Sequence, residues 1–193
     1  ADAIAAIEFT IQAKAIFREL ANVRVLSNSW GGDGFSQALR DEIASARDND
    51  MLFVAAAGNN ARDNDQNPHY PASYDVENII AVLATTTTDS RASFSNWGRN
   101  SVHLGAPGVN ILSTSRTGGY VNMNGTSMAA PHVSGAGALV LAACSVDTPT
   151  LKRLLLDNVD PIAELSLITI TGGRLNVFQA LTACVSPAGE RRR

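Results

Sequence analysis

Residues 51–57, Met-Leu-Phe-Val-Ala-Ala-Ala, form an unbroken apolar run of strand length, closed by Gly58-Asn59-Asn60. A strand with no polar alternation has no face to offer water. It suits a parallel sheet covered by helices on both sides. The flanking sequence supplies helices. Ile4, Ile7, Ile11 and Ala15 recur at helical spacing and predict a helix over residues 2–20. Phe35, Leu39, Ile43 and Ala46 predict another. Between them, the β-branched residues 23–26 read as a strand running into the turn Asn28-Ser29-Trp30-Gly31-Gly32. Further strands are expected at residues 78–85 and 109–112, the latter behind Gly105-Ala106-Pro107-Gly108. Helices are expected at 126–143, 148–158 and, beyond a Gly172-Gly173 turn, 176–183. Repeated strand–helix alternation with right-handed crossovers predicts an α/β layered fold. No repeat or linker divides it, so one domain is expected over residues 1–185. Residues 186–193, with three arginines, read as a disordered tail or processing linker. Chemistry in such sheets collects at the carboxyl ends of the strands. Ser29-Trp30-Gly31 and Gly58-Asn59 both directly follow expected strands and should share that edge.

Composition narrows the function classes. The chain has 193 residues, 45% hydrophobic and 17% charged, with 15 Lys+Arg against 18 Asp+Glu. That is enough for a real core. A net charge of −3 gives no footprint for nucleic acid or anionic lipid. No apolar run reaches the roughly 18 residues of a spanning helix. Neither a nucleic-acid partner nor a membrane is expected, and any signal peptide is expected to lie outside this chain.

The chemistry concentrates in Asn124-Gly125-Thr126-Ser127-Met128-Ala129-Ala130-Pro131-His132-Val133-Ser134-Gly135. Thr126 suits a helix N-cap and Ser127 the first turn. Pro131 is tolerated only near a helix start. A serine there has an unpaired backbone N–H at the positive end of the helix dipole, and both favour an oxyanion forming beside its hydroxyl. Taken alone, an anonymous serine at a helix start is a cap. The full string, however, resembles the nucleophile motif GTSMAxPHVSG of the subtilisin-like serine proteases, the subtilases. It is not the G-x-S-x-G elbow of α/β-hydrolases, since Ala129 stands at the second glycine position. Other segments resemble the same family in the same order: Asn28 to Gly32, Ala55-Ala56-Ala57-Gly58-Asn59, Tyr70-Pro71-Ala72, Ser93 to Gly98 and Ala106-Pro107-Gly108-Val109.

The resemblance implies a three-layer α/β/α fold on a mostly parallel sheet and an endopeptidase working through a Ser127 acyl-enzyme. Asn59 would donate its side-chain N–H to the oxyanion beside the backbone N–H of Ser127. Substrate would lie extended along Ser29, Trp30 and Gly31 by strand addition, with Ala57 and Gly58 walling the primary pocket. It also implies a cis peptide before Pro71. The family's Asp and His precede its Ser in sequence, and no segment here resembles their motifs. They are expected upstream, on an N-terminal remainder that also carries the first strands of the sheet. The strand at 23–26 would then have an unpaired edge, and the chain alone should be poorly soluble or partner-dependent. His69 and His103 read as surface or structural residues, and His132 as a buried structural one. A non-catalytic peptide-binding relative is the alternative; an unrelated esterase ranks last.

Two cysteines, Cys144 and Cys184, are either a disulfide or two buried thiols. The resemblance implies a secreted protein, where bridges are favoured. No cofactor is required. A structural calcium is possible by resemblance, with Asp75, Glu77 and the carbonyls of residues 71–76 as candidates.

Overall fold

The computed structural model describes residues 2–17, 20 and 22–185, so the expected tail at 186–193 lies outside the described residues. Helix α1 (Asp2–Phe17) is followed by β1 (Val25–Asn28), α2 (Gln37–Asp48), β2 (Leu52–Ala56), β3 (Ile79–Thr85) and β4 (Leu104–Pro107). The strands β5 (Ile111–Thr114) and β6 (Tyr120–Met123) precede α3 (Thr126–Ala143) and α4 (Thr148–Asp157). Two short strands, β7 (Asp160–Pro161) and β8 (Gly173–Arg174), and α5 (Val177–Val185) complete the chain. The main sheet runs β1-β2-β3-β4-β8-β7. Its first four strands are parallel, with Val25 opposite Leu52, Phe53 opposite Ile79 and Val82 opposite Leu104.

Every residue of β2 and β3 is buried, as the unbroken apolar runs require. Successive side chains leave a strand on opposite faces. Leu52, Val54, Ile80 and Val82 accordingly pack with Ala129, Val133, Val140, Leu151 and Leu155 of α3 and α4. Phe53, Ala55, Ile79 and Ala81 pack on the other side with Ile7 of α1 and Ile43 and Ala46 of α2. Three layers result. Ser36 caps α2, its Oγ accepting from the Leu39 N–H at 3.3 Å, and Asp147 caps α4 by accepting from Thr150 N–H at 2.9 Å. Cys144, at the end of α3, is disulfide-bonded to Cys184 in α5. The Tyr70–Pro71 peptide is cis.

Several expectations shift. The fourth strand of the sheet is residues 104–107, not 109–112; the Ile111–Thr114 segment pairs only with β6, in an exposed antiparallel hairpin. Gly105 and Pro107 conceal this strand in the sequence. A Cβ at Gly105 would stand 2.8 Å from Thr85 Cγ2, and Pro107 sits at the strand's last paired position, where a missing N–H does least harm. Phe35 lies ahead of α2 and stacks edge-on to Tyr70 and Tyr74 at centroid distances of 5.4 and 5.5 Å. On α1, Ile7 is buried as its stripe predicts, but Phe9, Ile16 and Phe17 are 71%, 73% and 53% exposed. Strand β1 ends the sheet, with its outer edge free of a neighbouring strand among the described residues.

Candidate active site

At the carboxyl ends of β1 and β2 the segments carrying Ser29 and Asn59 meet the start of α3. The N-cap of α3 is Gly125, with φ 155°, and not Thr126 as expected. Thr126 is fully buried and its hydroxyl has another use. It accepts from the Gly58 N–H at 3.2 Å and donates to Asn59 Oδ1 at 3.0 Å, while its own N–H donates to the same oxygen at 2.9 Å. Two donors on Oδ1 fix the amide plane. They leave Asn59 Nδ2 without a protein partner among the described residues, 3.7 Å from the position a Gly125 Cβ would take. The Ser127 N–H lies in the first helical turn, where an α-helix offers no intrahelical acceptor. Two N–H donors thus stand on the Gly125–Ser127 side of the cleft.

Ser127 and Ser29 are joined reciprocally. Ser127 Oγ donates to Ser29 O at 3.1 Å, and Ser29 Oγ donates to Ser127 O at 2.8 Å. The second bond has a local cause. Residue 131 would ordinarily donate its N–H to the carbonyl of Ser127, but Pro131 has none. The Ser29 hydroxyl supplies the missing donor and so ties the start of α3 to the end of β1.

The wall at residues 57–60 is braced from behind by two buried asparagines. Asn64 Nδ2 donates to Ala57 O at 2.8 Å, and Asn96 Nδ2 donates to Asn64 Oδ1 at 3.0 Å. Asn96 Oδ1 accepts from Asn60 N–H at 2.8 Å, and its backbone N–H donates to Gly58 O at 2.9 Å. Gly58 has φ +108°, and a Cβ there would stand 2.5 Å from Asn96 Nδ2, so both backbone and space demand glycine. Opposite it, the N–H and C=O groups of Trp30 and Gly31 have no partner among the described residues, and Trp30 is 40% exposed. Unpaired main chain beside a cleft is what strand addition requires.

The three histidines are dispersed. His132 is exposed, not buried as expected, with Nδ1 2.8 Å from Met128 O; it points off the uncovered face of α3. His103 lies away from this cleft, its Nδ1 accepting from Ala81 N–H at 3.0 Å, and burial depresses its pKa to about 3. His69 comes to the site from a loop. An antiparallel bridge between Gly32 and Tyr70, with N···O distances of 2.8 and 2.7 Å, carries it against Gly31. Its Nδ1 lies 3.4 Å from Asp33 Oδ1, and Asp33 is also ion-paired with Arg62, whose guanidinium holds the carboxyl below its usual pKa. Sequence reasoning missed His69, Asn64 and Asn96. Asn96 falls within the recognised Ser93–Gly98 segment; nothing local marked the other two. No ring nitrogen of the three histidines is hydrogen-bonded to Ser127.

Among the described residues, no group of three or more His, Cys, Asp or Glu side chains converges as a metal site. The Asp75 and Glu77 carbonyls already accept from Arg40 at 3.3 Å and Lys152 at 2.9 Å.

A parallel α/β/α sheet whose serine-led helix meets a strand-end asparagine is the architecture of subtilisin-like proteins. The chain belongs to the Subtilase family, whose sequence profile matches residues 2–174. It is 44% identical over 119 residues to subtilisin DY of Bacillus licheniformis, covering 61% of this chain and 42% of that protein. It is 46% identical over 118 residues to subtilisin-like protease 1 of Arthroderma otae, covering 61% of this chain and 23% of that one. The solved structure of the prenylagaramide maturation protease PagA superposes with a TM-score of 0.77 at 26% identity, over 91% of this chain and 66% of that one. The chain therefore spans less than half the length of these two curated relatives.

Proposed function

We propose that this chain is the C-terminal part of a serine endopeptidase catalytic domain, with Ser127 as nucleophile. The observation that carries the reading is the Thr126 clamp: it consumes Asn59 Oδ1 and leaves Nδ2 free beside the Gly125–Ser127 turn, Nδ2 and the Ser127 N lying 3.7 and 3.6 Å from the position of a Gly125 Cβ. A turn asparagine has no need of that orientation. An oxyanion donor does, because it must already point at the site where charge develops. Substrate backbone pairs with Trp30 and Gly31, and the side chain before the scissile bond enters between that segment and Ala57-Gly58. Ser127 attacks the carbonyl carbon, and its proton leaves to a base. Asn59 Nδ2 and the Ser127 N–H stabilise the oxyanion. The base and its carboxylate come from an N-terminal remainder, since none of this chain's histidines reaches Ser127. The chain alone is then inactive. The chemistry needs no cofactor, and a calcium ion at residues 71–76 would compete with Arg40 for the Asp75 carbonyl. The disulfide fits an oxidising, secreted setting.

Fluorophosphonate labelling with peptide mapping at Ser127 tests this. The 193-residue chain should remain unlabelled, and the same chain joined to its native upstream sequence should label. In the joined protein, Asn59→Ala should lower kcat by roughly 10²–10³-fold, a magnitude taken over from subtilisin itself. Continued silence of the joined protein would favour the second reading, a peptide-binding relative. That reading is supported by the unpaired main chain at Trp30-Gly31.

A further inference from the structure

The slot between the two cleft walls is occupied by this chain's own side chain. A Cβ built on Gly31 would stand 2.5 Å from His69 Nε2, and one built on Gly58 would stand 2.9 Å from His69 Cδ2. Those two ring atoms are bonded neighbours, so a single edge of the imidazole is wedged between both glycines. The opposite edge is tethered, Nδ1 lying 3.4 Å from Asp33 Oδ1. Asp33 is itself held by Arg62, and the backbone of residue 69 is held by donation from its N–H to Ser73 Oγ at 3.1 Å. The His69 side chain is only 11% exposed, so it fills the space and does not merely line it. A substrate phenyl or indole ring entering between the two glycines would need the volume that the imidazole takes.

Resting on the proposed peptide cleft, we infer that His69 is a specificity-determining residue: it fills the primary pocket, so that the pocket accepts a small side chain such as alanine or serine before the scissile bond and rejects large aromatic ones. Exclusion is steric. Interiors are close-packed, and a ring cannot share volume already taken. Asp33 is a positioning residue that keeps the imidazole from swinging aside. The discrimination available to a filled apolar slot is on the order of 10–200-fold for each group excluded.

The test uses the chain joined to its native upstream sequence, carrying Ser127→Ala to prevent turnover, and two acetylated tetrapeptides that differ only in a C-terminal alanine or phenylalanine, titrated by calorimetry and by tryptophan fluorescence. With His69 intact, this protein should bind the alanine peptide more tightly. His69→Gly should empty the slot and raise the Phe/Ala affinity ratio at least tenfold. Asp33→Asn, which loosens the tether on the imidazole without emptying the slot, should raise the ratio by a smaller factor. A preference for phenylalanine with His69 intact, or a ratio unmoved in His69→Gly, overturns the role of His69 while leaving the cleft standing. Binding of neither peptide by any variant overturns the cleft and this inference together.

Discussion

Residues 57–60 and residues 29–31 face each other across the cleft, yet their polar groups end differently. In the first segment, the Ala57 carbonyl, the Gly58 N–H and carbonyl and the Asn60 N–H all have partners in Asn64, Thr126 and Asn96. In the second, the main chain of Trp30 and Gly31 has no partner among the described residues. The same contrast divides the molecule. Around β2, β3 and the buried face of α3, the apolar side chains are packed and the strand main chain is paired, although the buried Thr85 Oγ1 and Asn78 Oδ1 have no partner among the described residues. On the side of β1 and α1 the sheet edge has no neighbouring strand among the described residues, and three large apolar residues of the helix face outward. A region whose main chain is paired and whose apolar side chains are packed can hold its shape alone. A region with an open edge and bare apolar surface has the features by which one chain pairs with another.

The comparison breaks most visibly in the core. Phe53→Ala, at a fully buried site, should lower stability by about 3–5 kcal/mol in denaturant unfolding. Opening the Cys144–Cys184 bridge, which spans 40 residues, should lower it by roughly 3–4 kcal/mol, read as a lowered melting temperature in reductant.

Acid should act next. The folded pKa of His103 is about 3, below its unfolded value of 6.5, so the unfolded chain binds a proton that the native state refuses. The sign follows from linkage. The contribution is complete above pH 6.5 and is lost as pH falls toward 3, at roughly 1.4 kcal/mol for each pH unit well inside that window. His103→Gln should flatten that part of the stability–pH curve measured by urea titration.

Asn96→Ala strips the Asn60 N–H and Asn64 Oδ1 of their partner. It should cost about 1–3 kcal/mol and loosen the Ala57–Asn60 wall, seen as faster amide exchange there. Phe9→Ser, on the open side, should change the stability of the isolated chain by less than about 0.5 kcal/mol. It should nonetheless reduce self-association in light scattering. A wild type that is monomeric with a sharp cooperative melt would show that the open side needs no partner.

Periodicity and residue type carried much of this. The runs at residues 51–57 and 78–85 pointed to doubly buried strands, because no polar position interrupts them and their length suits a strand. The motif around Ser127 located the start of α3, because small residues, a proline and a serine at that spacing suit a helix N-terminus at a strand edge. What failed locally was β4, whose Gly105 and Pro107 look like a turn until Thr85 and Leu83 are seen pressing against the glycine. His132 failed for a different reason: its helix is uncovered on one face among the described residues, and residue type does not record which face of a helix a neighbour covers.

His69 marks the limit most clearly. By type and place it was a loop histidine beside a proline. Its approach to Gly31 and Gly58 depends on the Gly32–Tyr70 bridge and on β1 and β2 lying side by side, contacts between segments about 30 to 40 residues apart. Spacing along the chain determines which elements form and which face each buries. Which side chain fills the gap between two of them is decided only when the sheet brings their ends within a few ångströms.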